Sequence, residues 1–317
     1  MRDSQTLDRA FSAERPGTST HPFKKSAGMI QIQNISVSRV WESSIQLPLH
    51  QLGQVDELIE RHGHTFYPQF FNRADRSFEF NWQTWILDLD GFVIVIDPCA
   101  GNGRDRPGIL PLHQLSTPFL DRFEATGYSP DQVNGVFCTH LHCDHCGWNT
   151  EWQGDSWVPT FSNAKYYFVA KELQRWNPEN PGYRHVDYNT NVFEDSVKPI
   201  LEADLAEIVS ASDQIGPGVT IWPAYGHSDG HCALRVDHRG TRLWFTGDAF
   251  HHPLQVIDPR LSMGGDDDPT LAIATRRALR SIIASEGSYF MPAHFASSHA
   301  GRIVFEDGGF RFAPLGE

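Results

Sequence analysis

The sequence predicts one layered α+β domain in which helices cover the outside of two packed β-sheets. Short apolar runs with the two-residue period of strands come in antiparallel groups, and helical patterns separate them only occasionally. No repeat, low-complexity tract or linker divides the 317 residues, although this length would allow two domains. We expect a single domain over residues 29–317. Residues 1–28 are polar and aperiodic, which predicts a disordered arm.

The first half of the domain changes character along the chain. Residues 30–41 alternate apolar and polar side chains, as a half-buried strand does. Residues 47–82 are loop-like and rich in aromatic side chains that keep neither a helical nor a strand period throughout. We expect this segment to form a lid over a cleft or a contact between two copies of the chain. Asp90-Gly91 then predicts a hairpin turn. The elements beside and after this turn are two strands, a helix and a strand: 85–89, 92–96, 116–127 and 133–138.

The second half repeats this arrangement. Asp268 followed by Pro269 is typical of a helix start, with an N-cap and then proline at the first helical position. The chain closes with a hairpin around Asp307-Gly308-Gly309. The other predicted elements are a helix over 201–209 and strands over 165–169, 219–222, 233–236, 243–245 and 289–291.

The charge balance and the cysteines limit the class of protein. Lysine and arginine number 26 against 39 acidic residues, a formal net charge of −13, which argues against nucleic acid or an anionic membrane as partner. No apolar run reaches eighteen residues, and the N-terminus has no apolar core typical of a secretion signal. Five scattered cysteines favour free thiols in a reducing compartment. We therefore expect a cytoplasmic protein that acts on a small molecule.

One short segment concentrates residues that bind metals. The strand ending near Cys138 continues as Thr139-His140-Leu141-His142-Cys143-Asp144-His145. Three histidines and a carboxylate this close cannot all be core residues of a strand or helix. Imidazole nitrogens and a carboxylate oxygen at this density suit a zinc-like dication.

Three further strands each deliver a histidine or aspartate just past their ends. The strand over 219–222 leads to His227, that over 243–245 to Asp248, and that over 289–291 to His294. Ligands at strand ends along one edge of a sandwich converge on one cleft, where such enzymes place their chemistry.

These residues resemble the metallo-β-lactamase superfamily with its full dinuclear ligand set. The resemblance covers the chain from about Ile30 onward and implies a four-layer αββα sandwich. It implies that His140, His142 and His227 bind one metal ion, that Asp144, His145 and His294 bind the other, and that Asp248 bridges them. Asp97, at the end of the run FVIVIDP, matches an aspartate that supports the metal loop.

Departures from the family pattern indicate the branch. True zinc β-lactamases lack a bridging carboxylate where this chain has Asp248. Acyl-homoserine lactonases often carry a tyrosine three residues after that aspartate, whereas this chain has His251, followed by His252. This tyrosine therefore does not identify a lactonase here, but the bridging carboxylate resembles that of lactonases, glyoxalase-type thioesterases and phosphotriesterases. Together with the apolar area of the aromatic segment, the resemblance favours a lactone or ester of a small apolar molecule as substrate. A phosphotriester or thioester is the alternative, and an iron-dependent oxygenase is the alternative from a different class.

The expected mechanism needs no serine. Two divalent ions, zinc or else manganese, iron or cobalt, would share a bridging hydroxide that attacks the substrate. Asp144 could pass a proton to the leaving group, Asp248 would bridge the ions, and His251 with His252 could donate hydrogen bonds to a developing oxyanion. A homodimer is compatible with the aromatic segment.

Four motifs have simpler interpretations than the ones they suggest. Cys143 and Cys146 form a C-x-x-C pattern, but we expect packed thiols, and His231 is expected to support the site without binding metal. The run from Asp266 to Asp268 suggests a calcium site, yet capping and solvation of a helix start are the simpler interpretation. Ser228 lies in a G-x-S-x-G pattern, but a strand and not a helix follows, which argues against a nucleophile.

Overall fold

The computed structural model describes residues 28–66, 69–296 and 299–315, without the side chains of residues 64 and 65. The predicted arm over 1–28 lies outside the described residues except for its last position. Within the described part of the chain, no helix is both long and apolar enough to cross a bilayer.

The first sheet has seven strands in the order β1-β2-β3-β4-β5-β8-β9. Neighbours from β1 to β4 are antiparallel, and those from β4 to β9 are parallel. Asp90 and Gly91 form the predicted turn between β3 and β4, both with positive φ, at 56° and 92°. The strands are β1 Gly28–Ile32, β2 Ile35–Pro48, β3 Ser77–Leu89, β4 Phe92–Ile96, β5 Gly135–Phe137, β8 Lys165–Val169 and β9 Ala206–Val209.

The second sheet also has seven strands, in sequential order from β10 to β16. All neighbours are antiparallel except β13 and β14, which are parallel. The strands are β10 Gln214–Gly216, β11 Val219–Pro223, β12 Cys232–His238, β13 Thr241–Phe245, β14 Tyr289–Met291, β15 Gly301–Glu306 and β16 Gly309–Pro314. A separate small hairpin consists of β6 Thr150–Gln153 and β7 Ser156–Pro159.

The α-helices lie on the outer faces of the sheets. Helix α2 (Phe119–Glu124) packs against β2, and α6 (Pro269–Glu286) packs against β15. The inner faces of the two sheets share a separate apolar core that includes Ile94 and Leu234. This arrangement confirms the predicted αββα sandwich. The helices are α1 Asp56–Phe66, α2 Phe119–Glu124, α3 Ala170–Trp176, α4 Lys198–Glu202, α5 Leu254–Ile257 and α6 Pro269–Glu286.

Two expectations about local structure are wrong. Residues 47–82 are not a loop, because α1 and the first half of β3 lie there. The aromatic residues of this segment keep no single period because some lie at and after the end of α1, whereas Phe78, Phe80 and Trp82 alternate along β3. These three side chains are buried within the chain itself, so they give no support to a lid or a dimer contact. That role for the segment remains a prediction.

The helix expected over 201–209 is also wrong. Helix α4 ends at Glu202, and Asp204 then adopts a left-handed φ of 56°, which breaks the helix before β9. The apolar residues of this segment therefore belong partly to a helix and partly to a strand.

Candidate metal centre

Four strand ends bring the predicted ligands to one edge of the sandwich. The His140–His145 segment follows β5, His227 follows β11, Asp248 follows β13 and His294 follows β14. Their side chains meet in two groups, each with ligand atoms within 4.8 Å of one another. The groups are His140, His142, His227 and Asp248 in the first, and Asp144, His145 and His294 in the second.

The first group has three converging ring nitrogens. His142 Nδ1 lies 2.9 Å from His140 Nε2 and 3.1 Å from His227 Nε2. In a tetrahedral zinc site with Zn–N bonds near 2.05 Å, neighbouring nitrogens lie about 3.3 Å apart. The spacing of these nitrogens is therefore close to that of a tetrahedral site.

The second group is joined to the first by Asp248. His294 Nε2 lies 3.2 Å from His145 Nε2, and Asp144 Oδ2 lies 3.5 Å from the same His145 nitrogen. Asp248 Oδ1 is 2.8 Å from His294 Nε2, whereas its Oδ2 is 3.4 Å from His227 Nε2. One carboxylate thus directs an oxygen to each group, as expected of a bridging ligand.

The outer nitrogen of each of the five histidines faces a polar group, although His145 Nδ1 lies near Asp97 without forming a hydrogen bond to it. An Nδ1 that faces a carboxylate or a carbonyl oxygen must carry the ring proton, so the Nε2 of that ring keeps its lone pair for a metal ion. This holds for His227, whose Nδ1 lies 3.0 Å from Asp266, and for His294, whose Nδ1 lies 2.7 Å from the Asn81 carbonyl oxygen. For His140 the same assignment follows because the Thr139 hydroxyl already donates to Asp97 and therefore accepts from His140 Nδ1. The groups that face the other outer nitrogens are Thr139 Oγ1 for His140 at 3.1 Å, Tyr188 for His142 at 3.3 Å and Asp97 for His145 at 3.2 Å.

The electrostatics of the centre suit a bound cation. Burial and neighbouring imidazoles lower the pKa of His140 and His142 well below the usual value, so both are neutral lone-pair donors. Burial would lower the pKa of His145 and His227, but the neighbouring carboxylates outweigh it and raise both, so a bound cation would take the place of a proton there. Burial would raise the pKa of Asp248, but positive charge on His145 first, and on His294, outweighs it and holds that pKa well below its usual range. Asp248 Oδ1 is nevertheless buried without a hydrogen-bond partner. These donors fit one divalent ion in each group.

Asp97 fixes the metal loop, as the resemblance implies. It accepts hydrogen bonds from the Thr139 backbone N–H at 2.7 Å and the Thr139 hydroxyl at 2.9 Å. Its own φ is 52°, a strained conformation for an aspartate, which such contacts can maintain. His231 also has a supporting position, because its Nε2 accepts the Asp248 backbone N–H at 3.1 Å while its Nδ1 faces the Ala224 carbonyl at 2.8 Å.

Glu172 of α3 is a supporting residue that the sequence did not reveal, because no motif surrounds it. Its carboxylate accepts from the Leu141 N–H at 2.9 Å, the Ser228 hydroxyl at 2.7 Å and the Gly230 N–H at 2.9 Å. It therefore ties the metal loop to the turn that carries His227. Ser228 is fully buried in this contact, which agrees with our interpretation that it is not a nucleophile.

A pocket opens above the two groups and holds about 480 Å³, counting the space open to solvent at its mouth. His251 lines it, with Nε2 3.2 Å from Asp248 Oδ2. His252 does not line it, because its Nε2 faces the Phe70 carbonyl at 2.8 Å and its Nδ1 accepts the Leu254 N–H, so its expected contribution to an oxyanion is wrong. The lining residues are Phe80, Ile109, His142, Cys143, Asp144, Tyr188, His227, Asp248, His251, Met263 and Gly264.

The remaining motifs take local roles. All five cysteines are buried free thiols, and Cys146 Sγ donates to the His142 carbonyl at 3.2 Å. Asp268 caps α6 by accepting from the Leu271 N–H at 3.0 Å. Asp267 pairs with Arg175 at 2.8 Å. Together with Asp266 on His227, these separate contacts replace the calcium site that the aspartate run suggests.

Sequence comparison identifies proteins related to this chain. The family model of the metallo-beta-lactamase superfamily matches residues 82–294. An N-acyl homoserine lactonase of Bacillus cereus is 21% identical over 199 residues, 63% of this chain and 70% of the relative. A probable metallo-hydrolase of Mycobacterium tuberculosis is 29% identical over 181 residues, and the match covers 51% of this chain and 54% of that relative. The chain thus spans about half the length of the mycobacterial relative.

Solved structures show the same fold. A hydrolase of the beta-lactamase superfamily named AbOPH superposes with a TM-score of 0.75 at 20% identity, covering 92% of this chain and 98% of that chain. The dizinc quorum-quenching lactonase AidC, solved with the product N-hexanoyl-L-homoserine, gives a TM-score of 0.71 at 17% identity with the same coverage.

Proposed function

The chain belongs to the metallo-beta-lactamase superfamily and is a metal-dependent hydrolase of that fold, and we propose that it uses two divalent metal ions to cleave a lactone or ester of a small apolar substrate. The position of Asp248 carries this proposal, because its two oxygens face two separate groups of imidazole and carboxylate donors. The lactonase relatives support the substrate class.

The seven side chains form two sets of ligands, one for each ion. His140, His142 and His227 would hold the first ion, and Asp144, His145 and His294 the second, with Asp248 between them. We propose zinc, since nitrogen and carboxylate donors suit it, although manganese, iron and cobalt accept the same donors. When bound, two such ions make hydroxide available near neutral pH and polarise the carbonyl oxygen of the substrate.

Three side chains in the pocket have the chemistry to act on the substrate. Asp144 is the most exposed of the carboxylates in the centre, at 14%, and can pass a proton to the leaving oxygen. His251 lies against Asp248 and faces the pocket, where it can interact with the oxyanion. Tyr188 supplies a hydroxyl that the sequence did not indicate, since it comes from a loop far from the ligand motifs.

The pocket lining favours a neutral, apolar substrate. Among the described residues, the lining includes the apolar side chains Phe80, Ile109 and Met263 and no lysine or arginine to pair with a carboxylate or phosphate on the substrate. Burying about 100 Å² of an acyl or aryl group would contribute roughly 2.5 kcal/mol before ordering costs. The net charge of −13 disfavours polyanions as well.

The test combines metal analysis with a matched substrate panel. Elemental analysis of the purified protein should find two equivalents of metal per chain, and a single equivalent that persists after reconstitution would contradict the two-ion proposal. The metal-replete enzyme is then assayed with lactones, aryl esters, phosphotriesters, thioesters and a β-lactam, and kcat/KM is expected to fall in that order, with lactones and esters together first. A phosphodiester is assayed beside them and is expected to be a poor substrate.

Two controls keep this panel interpretable. The Asp248→Asn protein, purified in the same way, sets the background hydrolysis. Oxygen uptake with the iron-loaded protein and small thiols tests the oxygenase alternative. A β-lactam or phosphodiester cleaved a hundredfold faster than every lactone and ester would contradict the proposed substrate class.

A further inference from the structure

Three consecutive residues of β3 contact the second ligand group. The Phe80 ring stacks on the His294 ring with centroids 4.0 Å apart and planes 20° apart. The Asn81 carbonyl accepts from His294 Nδ1 at 2.7 Å, and the Trp82 indole donates to Asp144 Oδ2 at 3.0 Å. Phe80 and Trp82 point to the same face because side chains alternate along a strand, while Asn81 between them contributes its backbone.

Asn81 also holds the backbone that carries His294. Its N–H donates to the His294 carbonyl at 3.2 Å, and its side-chain amide donates to the Phe295 carbonyl at 3.2 Å. Both the ring and the main chain of His294 are therefore fixed from β3.

The first ligand group takes its outer contacts from other parts of the chain. His227 is held by Asp266, which precedes α6, and His142 by Tyr188. His140 is held by Thr139, which Asp97 holds in turn. Asp97 thus serves both groups, through Thr139 in the first and beside His145 in the second, and Asp248 joins them. The contacts of residues 80–82 described above, by contrast, go to Asp144 and His294 of the second group.

Trp82 contacts Asp144, the proposed ligand whose side chain is most free to rotate. The Asp144 side chain is 14% exposed, whereas those of His140, His145 and His294 are at most 2% exposed. A carboxylate that faces an open pocket can rotate away from the ring nitrogens. The indole N–H on Oδ2 restrains this rotation, because a hydrogen bond to an ionised acceptor is stronger than a neutral one.

We propose that residues 80–82 of β3 position the second metal group, and that Trp82 sets the affinity of that group by holding Asp144 Oδ2 beside His145 and His294. This inference rests on the proposed two-ion function. It follows that the affinity for the second ion can be lowered while the affinity for the first is unchanged. Partners of this kind typically change metal affinity about 10- to 100-fold when they are removed.

The test is a chelator competition on the zinc-loaded full chain. Wild type, Trp82→Phe and Trp244→Phe are equilibrated with graded chelator, and the metal retained is counted by elemental analysis. Trp244 of β13, in the other sheet, is a matched control, because it is also buried and its indole donates to a carboxylate, that of Glu286 at the end of α6, at 2.9 Å. We expect Trp82→Phe to lose one equivalent at roughly 10- to 100-fold lower chelator and to keep the other as wild type does. Trp244→Phe should release both as wild type does.

Two further measurements keep the inference falsifiable. Phe80→Leu removes the ring stacked on His294 but keeps the Trp82 indole, so it should lower the affinity for the same metal equivalent. If Trp82→Phe does not fold, Phe80→Leu takes its place in the test. In the cobalt-loaded protein, the visible absorption of one cobalt should change in Trp82→Phe.

The outcomes separate this inference from the proposed function. Two equivalents that shift together, or neither shifting, would overturn the role of Trp82 while leaving the two-ion proposal intact. A wild-type protein that holds one equivalent would overturn the proposed function and this inference with it.

Discussion

The hydroxyl oxygen of Tyr188 lies 3.3 Å from His142 Nε2, on a loop 46 residues further along the chain. It is the partner of the outer nitrogen of a proposed ligand, and it also lines the pocket. Tyr188 therefore connects the metal group to the space where the substrate would bind.

We expect Tyr188→Phe to lower kcat/KM by about tenfold, or ~1.4 kcal/mol, because His142 loses its hydrogen-bond partner and the pocket loses a hydroxyl. Steady-state kinetics on the best substrate measures this. Tyr183→Phe is the matched control, since Tyr183 lies on the same loop with its hydroxyl near His185 at the surface. Equal kinetics for both variants would contradict the role of Tyr188.

Removal of a ligand side chain should abolish activity. His142→Ala and Asp248→Asn should each leave less than about a tenth of wild-type kcat/KM, because each weakens the hold on an ion. His238→Ala is the control, since His238 contacts Asp90 at the far end of β12. Retention of more than a tenth by either ligand variant would argue against its assignment.

The cysteine pair should be dispensable for metal binding. Burial raises the pKa of Cys143 and Cys146 well above the usual value, so both stay neutral thiols, whereas a metal ligand must be a thiolate. The double Cys143→Ala, Cys146→Ala protein should hold the wild-type number of metal equivalents by elemental analysis. Loss of a full equivalent would mean that a thiol is a ligand.

Acid should reveal the contribution of Glu286, which ends α6 and belongs to neither ligand group. Burial would raise its pKa, but hydrogen bonds from Arg235, Trp244 and Ser288 outweigh it and lower the pKa. A carboxyl with a lowered folded-state pKa stabilises the protein above its unfolded pKa, and this contribution is lost as pH falls through the folded value.

Glu286→Gln should therefore be less stable than wild type at pH 7, and the difference in the free energy of unfolding should shrink below about pH 4. Urea unfolding of both proteins across this range measures the difference. A difference that is independent of pH would contradict an ionised role for Glu286.

The sequence was sufficient for the sandwich and for bringing the seven ligands together because these signals are local. Each ligand directly follows an apolar strand, and strand ends of packed sheets meet at one edge. The supporting residues could not be predicted in the same way. Glu172 sits in a short helix without a motif, and Tyr188 lies in a loop, so only the tertiary fold reveals their contacts.

Segment 47–82 shows a second reason for failure. Its aromatic residues belong to a helix end, a turn and a strand, so no single period describes them and the sequence does not separate these elements. Trp82 looked like one member of an aromatic cluster, whereas its indole N–H contacts Asp144.

The placement of the ligands on both sheets couples metal binding to folding. His140, His142, Asp144 and His145 follow a strand of the first sheet, while His227, Asp248 and His294 follow strands of the second. Ions held between them would cross-link the two sheets at one edge, and neither half of the chain carries a full set of ligands. The sheets would therefore have to dock before two such ions could be held, and the free energy of metal binding would then strengthen the docking of the sheets.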